Sequence, residues 1–186
     1  MATLPITALL DRQRISVSGL SAGAFMAHQL HVAFSDLFCG AGLIAGGPFL
    51  SSNNSLWGAL LHGLHGMPAP DAHQLSVSTR TLAHLGQIAP VEHLADARVW
   101  VFHGKQDALV KRSVVDALVL FYSEFVKSTE MAYVVHVDVG HAMPTDSFGS
   151  TGAGKPESPY MVNCGYDAAG ELLAHIHGPL KDKQAV

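Results

Sequence analysis

Apolar and polar positions along this chain switch between a two-residue period and one near four, and each switch marks an element. Residues 14–18 alternate, with β-branched Ile15 and Val17 on one side, which predicts a strand; Phe25, Met26, Leu30, Val32 and Ala33 then keep helical spacing over 22–34. Residues 39–47 are small and apolar throughout, as in a parallel strand covered on both faces. Residues 75–86 read as a helix with Ser76 and Ser78 as caps, and 90–94 as another helical turn. The run 98–104 is apolar at nearly every position and predicts a central strand. Residues 110–127 form the longest helical pattern, striped by Val114, Leu118, Phe121, Tyr122 and Phe125. A last strand over 131–138, a Gly-, Ser- and Pro-rich loop over 146–159 and a helix over 166–177 complete the chain.

Strands alternating with helices specify an α/β fold with about four parallel strands and flanking helices, beginning at the first strand. At 186 residues, 1–186 reads as a single domain with a sizeable core. Residues 49–70 do not fit a strand–helix unit; they form a long excursion of the kind that walls a cleft, with Trp57 and Phe49 as its candidate substrate-binding aromatics or, equally, as packed anchors of the loop. The charge is −4 with scattered Lys and Arg, which argues against nucleic acid as a partner. Polar residues interrupt every apolar run well before ~18 residues, so no membrane span is expected. The first residues lack a charged and apolar secretory leader, so an exported form would be a mature or trimmed one. Cys39 and Cys164 fit either one disulfide or two buried thiols. The pairs His28/His31, His62/His65 and His175/His177 come without a carboxylate in a ligand pattern, and read as solvated or hydrogen-bonded side chains rather than metal ligands.

The candidate chemistry begins at Gly19-Leu20-Ser21-Ala22-Gly23, which sets a serine between two glycines where strand gives way to helix. A serine in that turn sits on strained backbone, and the glycines allow strand and helix to approach: the pattern of a nucleophile elbow. Asp107 follows the central strand and His141 the last one, giving the chain order Ser, Asp, His. All three fall after carboxyl ends of parallel strands, which gather on one sheet edge. A serine hydroxyl needs a base within reach, His141 supplies it, and Asp107 orients the imidazole. The Ala22 amide, at the helix start, is the first oxyanion donor. Asp138 is a rival acid, and Asp107 has a competing reading as a turn residue that caps the next helix; His103 reads as shaping the acid loop rather than reacting.

The runs 17–35, 40–48, Gly140-His141-Ala142-Met143-Pro144-Thr145 and 164–170 resemble poly(3-hydroxybutyrate) depolymerases of the serine esterase, circularly permuted α/β-hydrolase type, over about Arg14 to Pro179. The resemblance implies hydrolysis of polyester or hydroxyacid-oligomer ester bonds, no metal or organic cofactor, and an extracellular or periplasmic location. Its nucleophile, acid and base fall on Ser21, Asp107 and His141. Two alternatives stand beside it: another carboxylesterase of feruloyl or acetyl type, and a non-catalytic remnant.

A complete hydrolase sheet has further strands, and neither the short segment before the first strand nor the loop and helix after His141 supplies them. The expectation is therefore a truncated sheet with the elbow strand on an edge, weak or no activity, and self-association through that edge.

Overall fold

The computed structural model describes residues 14–51, 68–151, 158 and 160–181. Four parallel strands, β1 (Ser16–Leu20), β2 (Gly40–Ile44), β3 (Arg98–Phe102) and β4 (Met131–Val134), form one sheet in the order β1-β2-β3-β4. Register is continuous: Leu20 lies beside Ile44, and Ile44 beside Phe102. Among the described residues β1 pairs only with β2, so the elbow strand is an edge, as expected.

Helices α1 (Ala22–Ala33) and α3 (Arg112–Ser123) are the crossovers that follow β1 and β3. Right-handed connections stepping the same way along a sheet put both on one face. There His31 Nδ1 and the Tyr122 hydroxyl share a 2.7 Å hydrogen bond between the two helices. The opposite face carries α4 (Ala168–His177), which helps to explain why β2 is so small in side chain: a Cβ on Gly42 would lie 2.9 Å from a Leu172 methyl, and one on Gly40 2.3 Å from the Arg98 carbonyl oxygen of β3 and 2.9 Å from Ile176 Cγ2. Trp100 and Phe102, on that same face by alternation, stack on each other and on to Tyr166 at 5.7 and 5.9 Å. Helix α2 (Ala72–His84) packs against α3.

The helices differ from expectation mainly at their ends. Asp71, not Ser76 or Ser78, caps α2, accepting from the Gln74 amide at 3.0 Å; the two serines donate back to the carbonyls of His73 and Gln74. The segment 90–94 becomes a 3-10 helix, Val91–Asp96. Helix α3 stops at Ser123 although Phe125 and Val126 continue its apolar stripe, because the chain tightens into turns there (Phe125 N–H to Tyr122 C=O, 2.9 Å). Within the stretch expected as loop lies part of a second, three-stranded parallel sheet: β5 (Met143–Thr145), β6 (Ser150–Thr151) and β7 (Met161–Asn163), in the order β5-β7-β6. No disulfide joins Cys39 and Cys164. Among the described residues no helix is long and apolar enough to cross a membrane, and no three His, Cys, Asp or Glu side chains converge as a metal site would require.

Candidate active site

The elbow is strained as the motif demands. Ser21 has φ 57° and ψ −124°, a region that residues with a side chain rarely occupy. Its amide donates to Ile44 C=O at 2.9 Å, so the serine hangs from the neighbouring strand one residue past the end of β1. The two glycines are not equivalent. A Cβ on Gly19 would lie 2.3 Å from the Gly23 carbonyl carbon, whereas one on Gly23 would meet nothing within 4 Å. Gly19 is thus the residue that lets strand and helix touch.

Ser21 occupies the N-cap position of α1, where a serine ordinarily spends its oxygen on a backbone amide of the first turn. It makes no such bond. Asp71 and Asp167, at the N-caps of α2 and α4, both do, at 3.0 and 2.9 Å. Among the described residues the Ser21 hydroxyl is uncommitted, and the Ala22 amide is one of the first-turn donors a helix leaves unpaired. Ala22 and Gly23 are both exposed.

Asp107 and His141 meet at the carboxyl ends of β3 and β4. His141 Nδ1 lies 2.8 Å from Asp107 Oδ2, with the two residues 7% and 9% exposed. The other carboxylate oxygen, Oδ1, accepts from the amides of Leu109 (2.9 Å) and Val110 (3.0 Å). Because a carboxylate only accepts, the ring proton sits on Nδ1 and the neutral imidazole offers a lone pair at Nε2. Asp107 does not cap α3, whose N-cap is Lys111. Nor is Asp138 the partner of His141: it is exposed and accepts from Gln106 Nε2 at 2.7 Å.

The loops that carry Asp107 and His141 are zipped together. Lys105 N–H donates to Val137 C=O and Gln106 N–H to Val139 C=O, both at 3.0 Å. Gly104 lies so close to that second loop that a Cβ would fall 2.3 Å from the Val139 carbonyl oxygen. The amides of Leu109 and Val110 were not foreseen as part of the site. The signal available was the aspartate itself, which commonly binds backbone amides two and three residues ahead.

The remaining candidates divide. Trp57 lies outside the described residues. Phe49 is only 4% exposed and packs near His28 and Phe121, so it anchors the turn after β2 from inside rather than lining a cleft. His28 and His31 are core residues. His28 donates from Nδ1 to Gly47 C=O at 2.9 Å and stacks on Tyr122. Burial lowers its pKa to about 4, partly offset by that hydrogen bond; burial, and then His28 beside it, lowers His31 to about 3.

Comparison with known proteins follows this geometry. The chain is 39% identical over 172 residues to a poly(3-hydroxybutyrate) depolymerase of Delftia acidovorans, covering 92% of this chain and 35% of that protein. It is 35% identical to a polyhydroxybutyrate depolymerase of Talaromyces funiculosus, covering 89% and 48%. Over some nine-tenths of its own length the chain is thus homologous to poly(3-hydroxybutyrate) depolymerases. The crystal structure of the PHB depolymerase from Penicillium funiculosum superposes with a TM-score of 0.84 at 31% identity, over 95% of this chain and 55% of that one. A second PHB depolymerase structure, complexed with an R3HB trimer, gives 0.82 at 32% identity, over 92% and 53%. The chain spans about half the length of these structural neighbours, and between a third and a half of the two curated relatives. No protein-family model matches it.

Proposed function

We propose that the chain carries the nucleophile, base and acid of a serine esterase that hydrolyses ester bonds of poly(3-hydroxybutyrate) or its oligomers. The observation that carries this reading is the buried 2.8 Å pair of His141 and Asp107 on the same sheet edge as a strained serine whose hydroxyl caps nothing.

Ser21 Oγ attacks the ester carbonyl while His141 Nε2 takes its proton. Asp107, held by two backbone amides, keeps the ring in the Nδ1-protonated tautomer and balances the imidazolium that forms. The Ala22 amide faces the developing oxyanion. His141 returns the proton to the departing hydroxyacid alcohol, leaving an acyl-serine; water, activated by the same ring, then releases the acid. The balance is ester plus water to alcohol plus acid, so the chemistry itself calls for no redox or metal cofactor.

The Ala22 amide is one such donor, and one donor is worth ~10²–10³ in rate. The open edge of β1 is also where copies would self-associate, and an extracellular or periplasmic site of action is part of the same reading.

The test is labelling by a fluorophosphonate, with hydrolysis of 3-hydroxybutyrate oligomers measured beside p-nitrophenyl and feruloyl esters. Wild type should label and cleave the oligomers, and Ser21→Ala should abolish both, lowering any turnover by at least ~10³-fold. A folded, monodisperse protein that never labels points to the remnant, and preference for feruloyl esters to the other esterase class.

A further inference from the structure

Three buried histidine nitrogens lack a hydrogen-bond partner among the described residues: Nε2 of His28, Nε2 of His31 and Nδ1 of His103. The first two sit in the core between α1 and α3. The third belongs to the loop that presents Asp107, and nothing in the chemistry above uses it.

His103 is 3% exposed and immediately follows β3. Its Nε2 lies 3.0 Å from the Val110 carbonyl oxygen. A carbonyl only accepts, so the proton is on Nε2 and the unpartnered Nδ1 is a bare, buried lone pair. An unmet buried acceptor is unfavourable, so its retention at this position calls for an explanation. The bond closes the loop 103–110 on itself, joining its first residue to its last. Val110 is the residue whose own amide holds Asp107 Oδ1 at 3.0 Å, and Asp107 Oδ2 is the atom on His141. One unbroken path therefore runs from the His103 ring through the Val110 peptide and the carboxylate to the His141 ring.

We infer that His103 is a positioning residue: its bond to Val110 fixes the amide that turns the Asp107 carboxylate toward His141, and so selects the tautomer of His141. Without that bond, the Val110 peptide is anchored only by its packing and by its own amide's bond to Asp107, so one of the two donors on Oδ1 is no longer fixed from outside, and the carboxylate gains freedom to rotate away from Nδ1. His103 acts through Asp107 and touches no reacting atom. The activity arm of the inference rests on the esterase reading; the structural arm does not.

The test uses the whole chain with ¹⁵N-labelled histidine. Wild type should show a low-field Nδ1–H resonance from His141 and a single Nδ1-protonated tautomer. His103→Phe keeps bulk without a donor, and should lose or strongly broaden that resonance and mix the tautomers. With an ester that wild type turns over, kcat should fall about 10-fold with KM within twofold, as for a reacting group held slightly out of place. His103→Gln, long enough to donate to Val110, should restore most of both readouts, whereas His103→Asn, one methylene shorter, should not. If His103→Phe does not fold, the Gln and Asn pair carries the same comparison. An unchanged low-field proton and tautomer in His103→Phe, or in both the Gln and Asn variants, would overturn the inference even where thermal stability falls. Spectral changes as expected in a chain that hydrolyses no ester would leave the positioning role standing and sink the esterase reading.

Discussion

The acid–base half and the nucleophile half of the candidate site are built to different standards of closure. Asp107 and His141 are buried, every carboxylate oxygen of Asp107 is bonded, and their loops are zipped by backbone hydrogen bonds. Ser21 is held by its backbone, its amide on Ile44 and its carbonyl under the Phe25 amide, while its hydroxyl is unbonded among the described residues and the two residues that follow it are exposed. The first half depends on β3 and β4, which both lie within this chain; the second sits on β1, a strand with one described neighbour. A histidine–carboxylate pair is completed by its own two loops, while the serine is held, among the described residues, from one side of its strand.

The sharpest way to break the comparison is Asp107→Asn. Its oxygen can still accept from Leu109 and Val110, but its amide now faces His141 Nδ1 and forces the other tautomer, so kcat should fall by ~10³–10⁴-fold with stability nearly unchanged. A variant that keeps wild-type kcat would remove Asp107 from the machinery.

On the nucleophile side the two motif glycines separate close packing from motif membership. Gly19→Ala drives a Cβ into backbone and should destabilise by ~3 kcal/mol or more. Gly23→Ala enters open space in the first turn of α1 and should shift stability by no more than ~1 kcal/mol, in the stabilising direction. Urea midpoints of the two variants would decide; equal losses would mean that the space beside Gly23 is filled.

Acid should act on the helix layer behind both halves. His28 and His31 are neutral in the fold, with pKa lowered to about 4 and about 3 from an unfolded 6.5. Between those values the unfolded chain binds more protons, so the stability these groups contribute is complete above pH 6.5 and is lost as pH falls toward about 4 and then about 3. At ~1.4 kcal/mol per pH unit the loss amounts to a few kcal/mol for each histidine. A urea midpoint that stays flat from pH 7 to 4.5, or a slope that persists in a His28→Gln/His31→Gln double variant, would contradict it.

The smallest effect is expected at Ala45, which lies beside Ser21 at the end of β2 and also has a positive φ, 51°. Ala45→Gly should relieve strain and gain ~0.5–1 kcal/mol without moving kcat. A fall in kcat would show that strain at this position is tied to the nucleophile's.

Much of this was legible because local chemistry dictated local sequence. The elbow is a five-residue signature, β2 and β3 declare their burial by composition, and Asp107 and His141 follow strands in an order that topology brings together. The part that stayed hidden lacked a local signal. Strands β5, β6 and β7 have two or three residues each, too few for any period, and Pro144 in the middle of β5 offers no amide, which argues against a strand. Phe49 reads equally as a rim aromatic or a loop anchor because its neighbours include Gly, Pro and Ser; the inward packing on α1 and α3 decides for the anchor. The cap of α2 was missed because four serines and threonines within the helix compete for the role in sequence, while Asp71 alone stands before the first helical residue.

The contact at Gly104 has a consequence for anyone who would rebuild this protein. Loops that interlock backbone to backbone are inherited as one piece: an insertion within residues 103–110 or 136–141 must be answered in the other loop, or the seam opens. The turns at 124–130 between α3 and β4 lie outside that seam, and lengthening there changes the spacing from acid to histidine in sequence without changing it in space. A transplanted site should carry the two zipped loops as a cassette, with the elbow free to arrive on a separate segment.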